Sequence, residues 1–258
     1  MMLLHSGANV ANDYYDHTSH NDWVNQNLTP FSGGRRYIQE GILSAKATLL
    51  ESLFLLASGA AVGLVIFLLT HSLLILVFGV IGVLGGFFYT GAPVRLGYRG
   101  IGEFVIMLLF GLLPVTGSYY LQTGTFDTVA LIPAVIVGIL IFLVIFINEF
   151  PDAAADKAVN KRTLVVCIGT ERSIWIYRVA LAASYVAAVV GMLIYGELFW
   201  GSLLYLFTLP LGVSAVRFAN HKDLTTPGVF KVNGLTVILH AIGSLALATG
   251  FLVSAWWV

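Results

Sequence analysis

IPAVIVGILIFLVIFINEFPDAAAD, residues 132–156, decides how this chain folds. From Ile132 to Ile147 no side chain is charged. The run then ends in Glu149, Asp152 and Asp156. A segment this apolar and close to ~20 residues long has the dimensions of a bilayer crossing. Carboxylates resist leaving water, so three of them at the end of such a crossing call for a cause.

The rest of the chain has the same character. Of 258 residues, 58% are hydrophobic and 10% charged, and the mean hydropathy is +0.90. A soluble domain carries about 25% charged residues, so this composition describes a membrane protein. The formal net charge is zero, so no basic surface for nucleic acid is implied. One cysteine, Cys167, leaves no internal disulfide to form.

Apolar runs place spans at 49–70, 72–90, 102–121, 128–147, 174–195, 198–216 and 235–257. Lipid admits only helices or closed barrels, and these runs lack the period-two alternation of barrel strands. The expected fold is therefore all-α: a polytopic bundle of about seven full spans in one membrane-embedded domain, residues 1–258. The first dozen residues are apolar or small but too few to cross. They have the character of the last half of a helix that begins upstream, an N-terminal partial helix.

Charge sets the orientation. With alternating topology, all 13 Lys and Arg fall on one side or at its edge: Arg35, Arg36 and Lys46; Arg95 and Arg99; Lys157, Lys161, Arg162, Arg172 and Arg178; Arg217, Lys222 and Lys231. The positive-inside bias makes that side cytoplasmic. The acids of 149–156 then face the cytoplasm from an integral protein, expected in the cell (plasma) membrane.

The acidic cluster occurs twice. Asn12-Asp13-Tyr14-Tyr15-Asp16 matches Asn148-Glu149-Phe150-Pro151-Asp152 as N-[D/E]-aromatic-x-D. Each copy ends an apolar stretch and precedes a basic segment, SGGRR at 32–36 and KAVNKR at 157–162. Residues four apart share a helix face. Asn148, Asp152 and Asp156 form one oxygen-bearing stripe. Asn12, Asp16 and His20 form the other, with Asp13 and Asp22 nearby. Two such stripes in one volume would repel and raise each other's pKa. A hard divalent cation removes that conflict, and Mg²⁺ is commonly held by a few carboxylates plus substrate phosphates. Neighbouring basic residues could take the remaining phosphate oxygens. A polar diphosphate head with a long hydrocarbon body suits acids at the end of a greasy bundle. A third segment, YTGAPVRLGYRGIGE at 89–103, adds Tyr89, Arg95, Tyr98, Arg99 and Glu103 in a Gly/Pro loop.

In NDYYD, SGG-RR, YTGAPVRLGYRGIGE and NEFPDAAADKAVNKRTLVVCIG, and over nearly its whole length, the chain resembles the UbiA superfamily of intramembrane prenyltransferases. Within it, the YRGxGE loop and DxxxDKAxxKRTLVV most resemble 1,4-dihydroxy-2-naphthoate polyprenyltransferases of menaquinone biosynthesis. The resemblance implies Mg²⁺-dependent transfer of a polyprenyl group from an isoprenoid diphosphate to an aromatic acceptor. It implies metal ligation by Asn12, Asp13, Asp16, Asp22, Asn148, Asp152 and Asp156, with Asp16, Asp152 and Asp156 catalytic. It implies diphosphate contacts from Arg35, Arg36, Tyr89, Arg95, Tyr98, Lys157, Lys161 and Arg162. Partners would be the polyprenyl diphosphate, the aromatic acceptor and the lipid bilayer. The chain departs from the family pattern in two ways. The family has nine helices and this chain supplies seven plus a stub, and His20 stands where Gly or Asp is expected. A transferase for another acceptor such as 4-hydroxybenzoate, a transporter and a non-catalytic fragment are the competing readings. Acids gathered at one face, rather than at the bilayer midplane, argue against transport.

Overall fold

The computed structural model describes residues 1–25, 36–220, 224 and 229–257. Helices follow one another in the order α1 Met2–Thr18, α2 Asn21–Val24, α3 Ala45–Thr70, α4 Leu73–Phe88, α5 Gly102–Met107, α6 Leu113–Thr123, α7 Leu131–Ala158, α8 Leu164–Ile168, α9 Thr170–Ile194, α10 Phe199–Leu206, α11 Leu209–Phe218 and α12 Val229–Trp257. Among the described residues there is no strand. The protein is an all-α integral membrane bundle. Each of the seven apolar runs contains a helix. Among the described residues, five helical segments are long and apolar enough to cross alone, and α10 with α11, bent by 50°, makes a sixth if the pair is counted as one span. At 16 residues, α4 spans about 24 Å, less than the ~30 Å hydrocarbon core.

Large side chains such as Phe54 (72% exposed), Leu69 (78%) and Leu193 (77%) face outward, an arrangement suited to lipid and not to water. The most enclosed span includes α7: 56% of its apolar window is buried, against 11–28% in the other four. Ile136, Leu140, Leu143 and Ile147 are fully buried along it, at the three- and four-residue spacing of one helix face.

Contacts divide the chain into two units, residues 1–105 with 152–167, and 106–151 with 168–258. In the first, α1 packs on α3 and α4. Gly7 lies against Leu56 and Gly59 against Leu4, while the Ser52 hydroxyl donates to the Gly7 carbonyl at 2.9 Å. A helix of small residues thus beds closely on its neighbour, as α1 does with an apolar stretch too short to cross.

In the second unit, a Cβ on Gly250 would lie 2.0 Å from the Gly201 backbone, so α10 and α12 meet backbone to backbone. Between α5 and α6, residues Leu108–Leu112 form a π turn. Pro114 follows at the start of α6. It has no N–H for the carbonyl four residues back, and the wider turn accommodates the lost bond.

Candidate active site

The first unit gathers the acids. Helix α1 carries Asn12, Asp13 and Asp16, and ends at Thr18. The chain then turns at His20, which takes a left-handed conformation, φ 63°. The continuous stripe Asn12–Asp16–His20 is therefore corrected: the helix stops before His20, and the turn sends α2 back towards the second motif. The left-handed backbone also explains why a glycine is the natural occupant of that position.

Two amides, one on α2 and one on the residue just after it, then reach across. The Asn21 Nδ2–H donates to Asp156 Oδ1 at 2.8 Å, and the Asn25 Nδ2–H to Asp152 Oδ1 at 2.8 Å. Asn21 is 4% exposed and Asn25 2%. Within α1, the Asn12 amide donates to Asp16 Oδ2 at 3.0 Å. The stripe logic therefore holds for Asn12 and Asp16, one turn apart.

The second motif ends in a helix stop that returns a cation to it. Asn160 is left-handed, φ 57°. The Asn160 N–H bonds the Lys157 carbonyl at 3.3 Å and the Lys161 N–H bonds the Asp156 carbonyl at 2.8 Å, the pattern of a Schellman stop. Lys161 Nζ consequently lies 3.6 Å from Asp156 Oδ1 and 3.2 Å from Asp16 Oδ2. One ammonium joins Asp16 of the first copy of the repeat to Asp156, one turn beyond the second. Burial, the largest influence on it, favours the neutral amine. The charges of Asp16 and Asp156 outweigh burial and hold its proton well above the ordinary lysine range.

The loop 89–103 closes over this pair. The Tyr98 hydroxyl donates to Asp16 Oδ1 at 3.1 Å and to Ser19 Oγ at 3.2 Å. Burial, then the charge of Asp16, pushes the phenol up to about 12. The Tyr98 ring also carries two cations, with the Arg95 guanidinium 5.5 Å from its centroid and Lys161 Nζ 5.6 Å. Tyr89 packs against Gly97 and Gly102 and is close enough to Lys161 to favour its charged form.

Asp13 and Asp22 border a separate cavity of about 20 Å³, with Tyr37, Ile38, Gln39, Leu43 and Thr48. That is room for roughly one water or ion. Burial and the negative charge of Asp16 raise Asp13 to about 6. The same causes raise Asp22 to about 6, although a 2.7 Å bond from the Gln39 amide opposes them.

The remaining expected residues are placed as follows. Arg36 Nη2 donates to the Asn25 carbonyl, at the end of α2. Lys157 and Arg162 have exposed side chains. Asn148 lies in the second unit, where its Oδ1 accepts from Asn233 Nδ2 at 2.6 Å. Arg35 and Lys222 lie outside the described residues. Asn21, Asn25 and Gln39 were not singled out from sequence. The i, i+4 spacing of Asn21 and Asn25, that of the motif residues themselves, was the available signal.

Among the described residues, no three His, Cys, Asp or Glu side chains form a ready-made metal cage. The donor set nevertheless fits Mg²⁺. It is all oxygen, an ammonium already lies between carboxylates of both motifs, and the ion ordinarily draws its other ligands from phosphate and water.

The chain is similar in sequence to proteins of known description. The sequence model described as the UbiA prenyltransferase family matches residues 1–235. The 1,4-dihydroxy-2-naphthoate octaprenyltransferase of Mycobacterium leprae is 31% identical over 94% of this chain and 80% of its own length. The protein of the same description from Haemophilus influenzae is 26% identical over 96% of this chain and 82% of its own. A 2-carboxy-1,4-naphthoquinone phytyltransferase of Synechocystis is 29% identical over 64% of this chain, and the match spans only 54% of that relative. No solved structure matches.

Proposed function

The chain belongs to the UbiA prenyltransferase family, and from that premise we propose that it transfers a polyprenyl group from an isoprenoid diphosphate to an aromatic ring, 1,4-dihydroxy-2-naphthoate, in menaquinone biosynthesis. It does so as one membrane-embedded domain of the plasma membrane, with the site open to the cytoplasm. The observation that supports this most is the meeting of Asp16 and Asp156, one from each acidic motif, on the ammonium of Lys161. That is a place built for compensated charge at the edge of apolar spans.

Mg²⁺, when held by Asp16 and Asp156 with Asp13, Asp22 and Asp152 close by, would supply Lewis-acid stabilisation of the departing diphosphate. The other contributions come from the chain. Lys161 and Arg95, both held over the Tyr98 ring, present positive charge to oxygens whose negative charge grows as the allylic C–O bond breaks. Asn21 and Asn25 hold Asp156 and Asp152 in fixed orientations, so little reorganisation accompanies the reaction. Apolar spans receive the hydrocarbon tail and exclude water, which would otherwise trap the allylic cation. The acceptor ring attacks as a carbon nucleophile, the donor's C–O bond breaks with diphosphate leaving, and the ring carbon sheds its carboxyl group as CO₂ to regain aromaticity; no covalent enzyme intermediate is required.

The test is prenyl transfer by membranes carrying this chain, supplied with Mg²⁺, geranylgeranyl diphosphate, and dihydroxynaphthoate or 4-hydroxybenzoate in parallel. Product mass names the acceptor. Asp152→Ala should abolish product while membrane insertion stays unchanged. Turnover retained in that variant would remove the acids from the mechanism, and product from 4-hydroxybenzoate alone would replace the acceptor.

A further inference from the structure

Glu103 has no part in the chemistry above, yet it is 1% exposed and among the largest fully buried side chains. Its Oε1 accepts the Leu164 N–H at 2.7 Å. That N–H opens α8 and has no partner within the helix. Its Oε2 is buried with no hydrogen-bond partner among the described residues. A carboxylate satisfied on one oxygen alone costs stability relative to an apolar side chain of the same shape. Fold stability is therefore a poor account of an acid at this position.

The same bond is one of several that tie the loop to the segment after the second motif. Arg99 and Arg162 form a backbone bridge. Gly100 adopts φ 71° and lies against Cys167, whose Sγ is 3.1 Å from where a Cβ on Gly100 would be. The Cys167 thiol in turn donates to the Arg162 carbonyl at 3.7 Å. On the loop side, these ties lie just after Tyr98, whose hydroxyl bonds Asp16. On the other side, they lie just after Lys161, whose ammonium bonds the same Asp16. Both contacts with Asp16 thus flank one junction, and among the described residues Glu103 is its fully buried side-chain tie.

We infer that Glu103 is a positioning residue: by holding the Leu164 N–H it fixes the loop against the Lys161–Leu164 segment, and so sets Tyr98, Arg95 and Lys161 for the diphosphate. The inference rests on the prenyltransferase reading.

The test uses inorganic pyrophosphate with Mg²⁺ as the probe, titrated calorimetrically into detergent-solubilised protein, so that no turnover is needed. Glu103→Ala should weaken pyrophosphate binding about tenfold. Glu103→Gln, which keeps an acceptor for the N–H, should stay within about threefold of the parent. Leu164→Pro deletes the donor while leaving Glu103 in place, at a first helical position that tolerates proline, and should reproduce the loss if Glu103→Ala fails to fold. Amide exchange at Leu164 should accelerate in Glu103→Ala and not in Glu103→Gln. Parent-like affinity in Glu103→Ala or in Leu164→Pro overturns the inference. So does a loss in Glu103→Gln as large as in Glu103→Ala, with a matching drop in melting temperature, because Glu103 would then support only the fold. If the unaltered protein binds no pyrophosphate in Mg²⁺, the prenyltransferase reading itself fails.

Discussion

Lys161→Met removes the ammonium between Asp16 and Asp156 and keeps most of the side chain's volume. At 3.2 Å and an effective dielectric of about 20, each such contact carries roughly 5 kcal/mol of Coulomb energy. Desolvation consumes much of it, and breaking a buried pair has a net cost of about 3–5 kcal/mol. The Lys161 side chain is 17% exposed, and those of its partners 8% and 3%, so solvent screens the contact weakly. For a chain of this size, about 3 kcal/mol corresponds to roughly 6–12 °C in melting temperature. Thermal unfolding in detergent should show that drop without divalent metal. Added Mg²⁺ should raise the variant's melting temperature by more than the parent's, because a cation then meets carboxylates that have lost their own. Affinity for the prenyl diphosphate should fall, since a phosphate contact is gone. Equal metal-free stability in variant and parent, with equal Mg²⁺ responses, would refute the claim that Lys161 compensates the two motifs.

His20→Gly should stabilise the protein by about 1 kcal/mol, because the left-handed φ of 63° strains any residue with a Cβ; a lower melting temperature in that variant would contradict the assigned turn. Asp13 and Asp22, each raised to about 6, bind protons in the folded state that an unfolded chain releases near 4. Below pH 6 those protons compete with metal, and above pH 7 they do not. The Mg²⁺ concentration for half-saturation should therefore rise about tenfold per titrating carboxyl between pH 7 and pH 5, and a flat profile would show that neither group senses the ion.

The fold class was open in the sequence because lipid leaves so few choices. A run such as 132–147 has to be helical, and the repeated N-[D/E]-aromatic-x-D motif marks where acids collect. What the sequence concealed depended on backbone events between helices. The stripe from Asn12 through His20 assumed a helix that in fact ends at Thr18. Asn21 and Asn25 become partners of Asp156 and Asp152 only because that helix stops. Pairings across 135 and 127 residues leave no trace in local periodicity. Glu103 is a similar case: its partner is a backbone N–H at Leu164, and a bond to the main chain depends on no side-chain identity at the far end.

The helix stop at Asn160 has a consequence for the order in which the protein is made. Every bond that returns Lys161 to Asp156 lies within residues 156–161, so the contact requires nothing synthesised earlier or later. As α7 leaves the translocon, Asp156 is followed within five residues by its own counter-charge, so the acid is compensated before it docks against the first motif, which was made earlier.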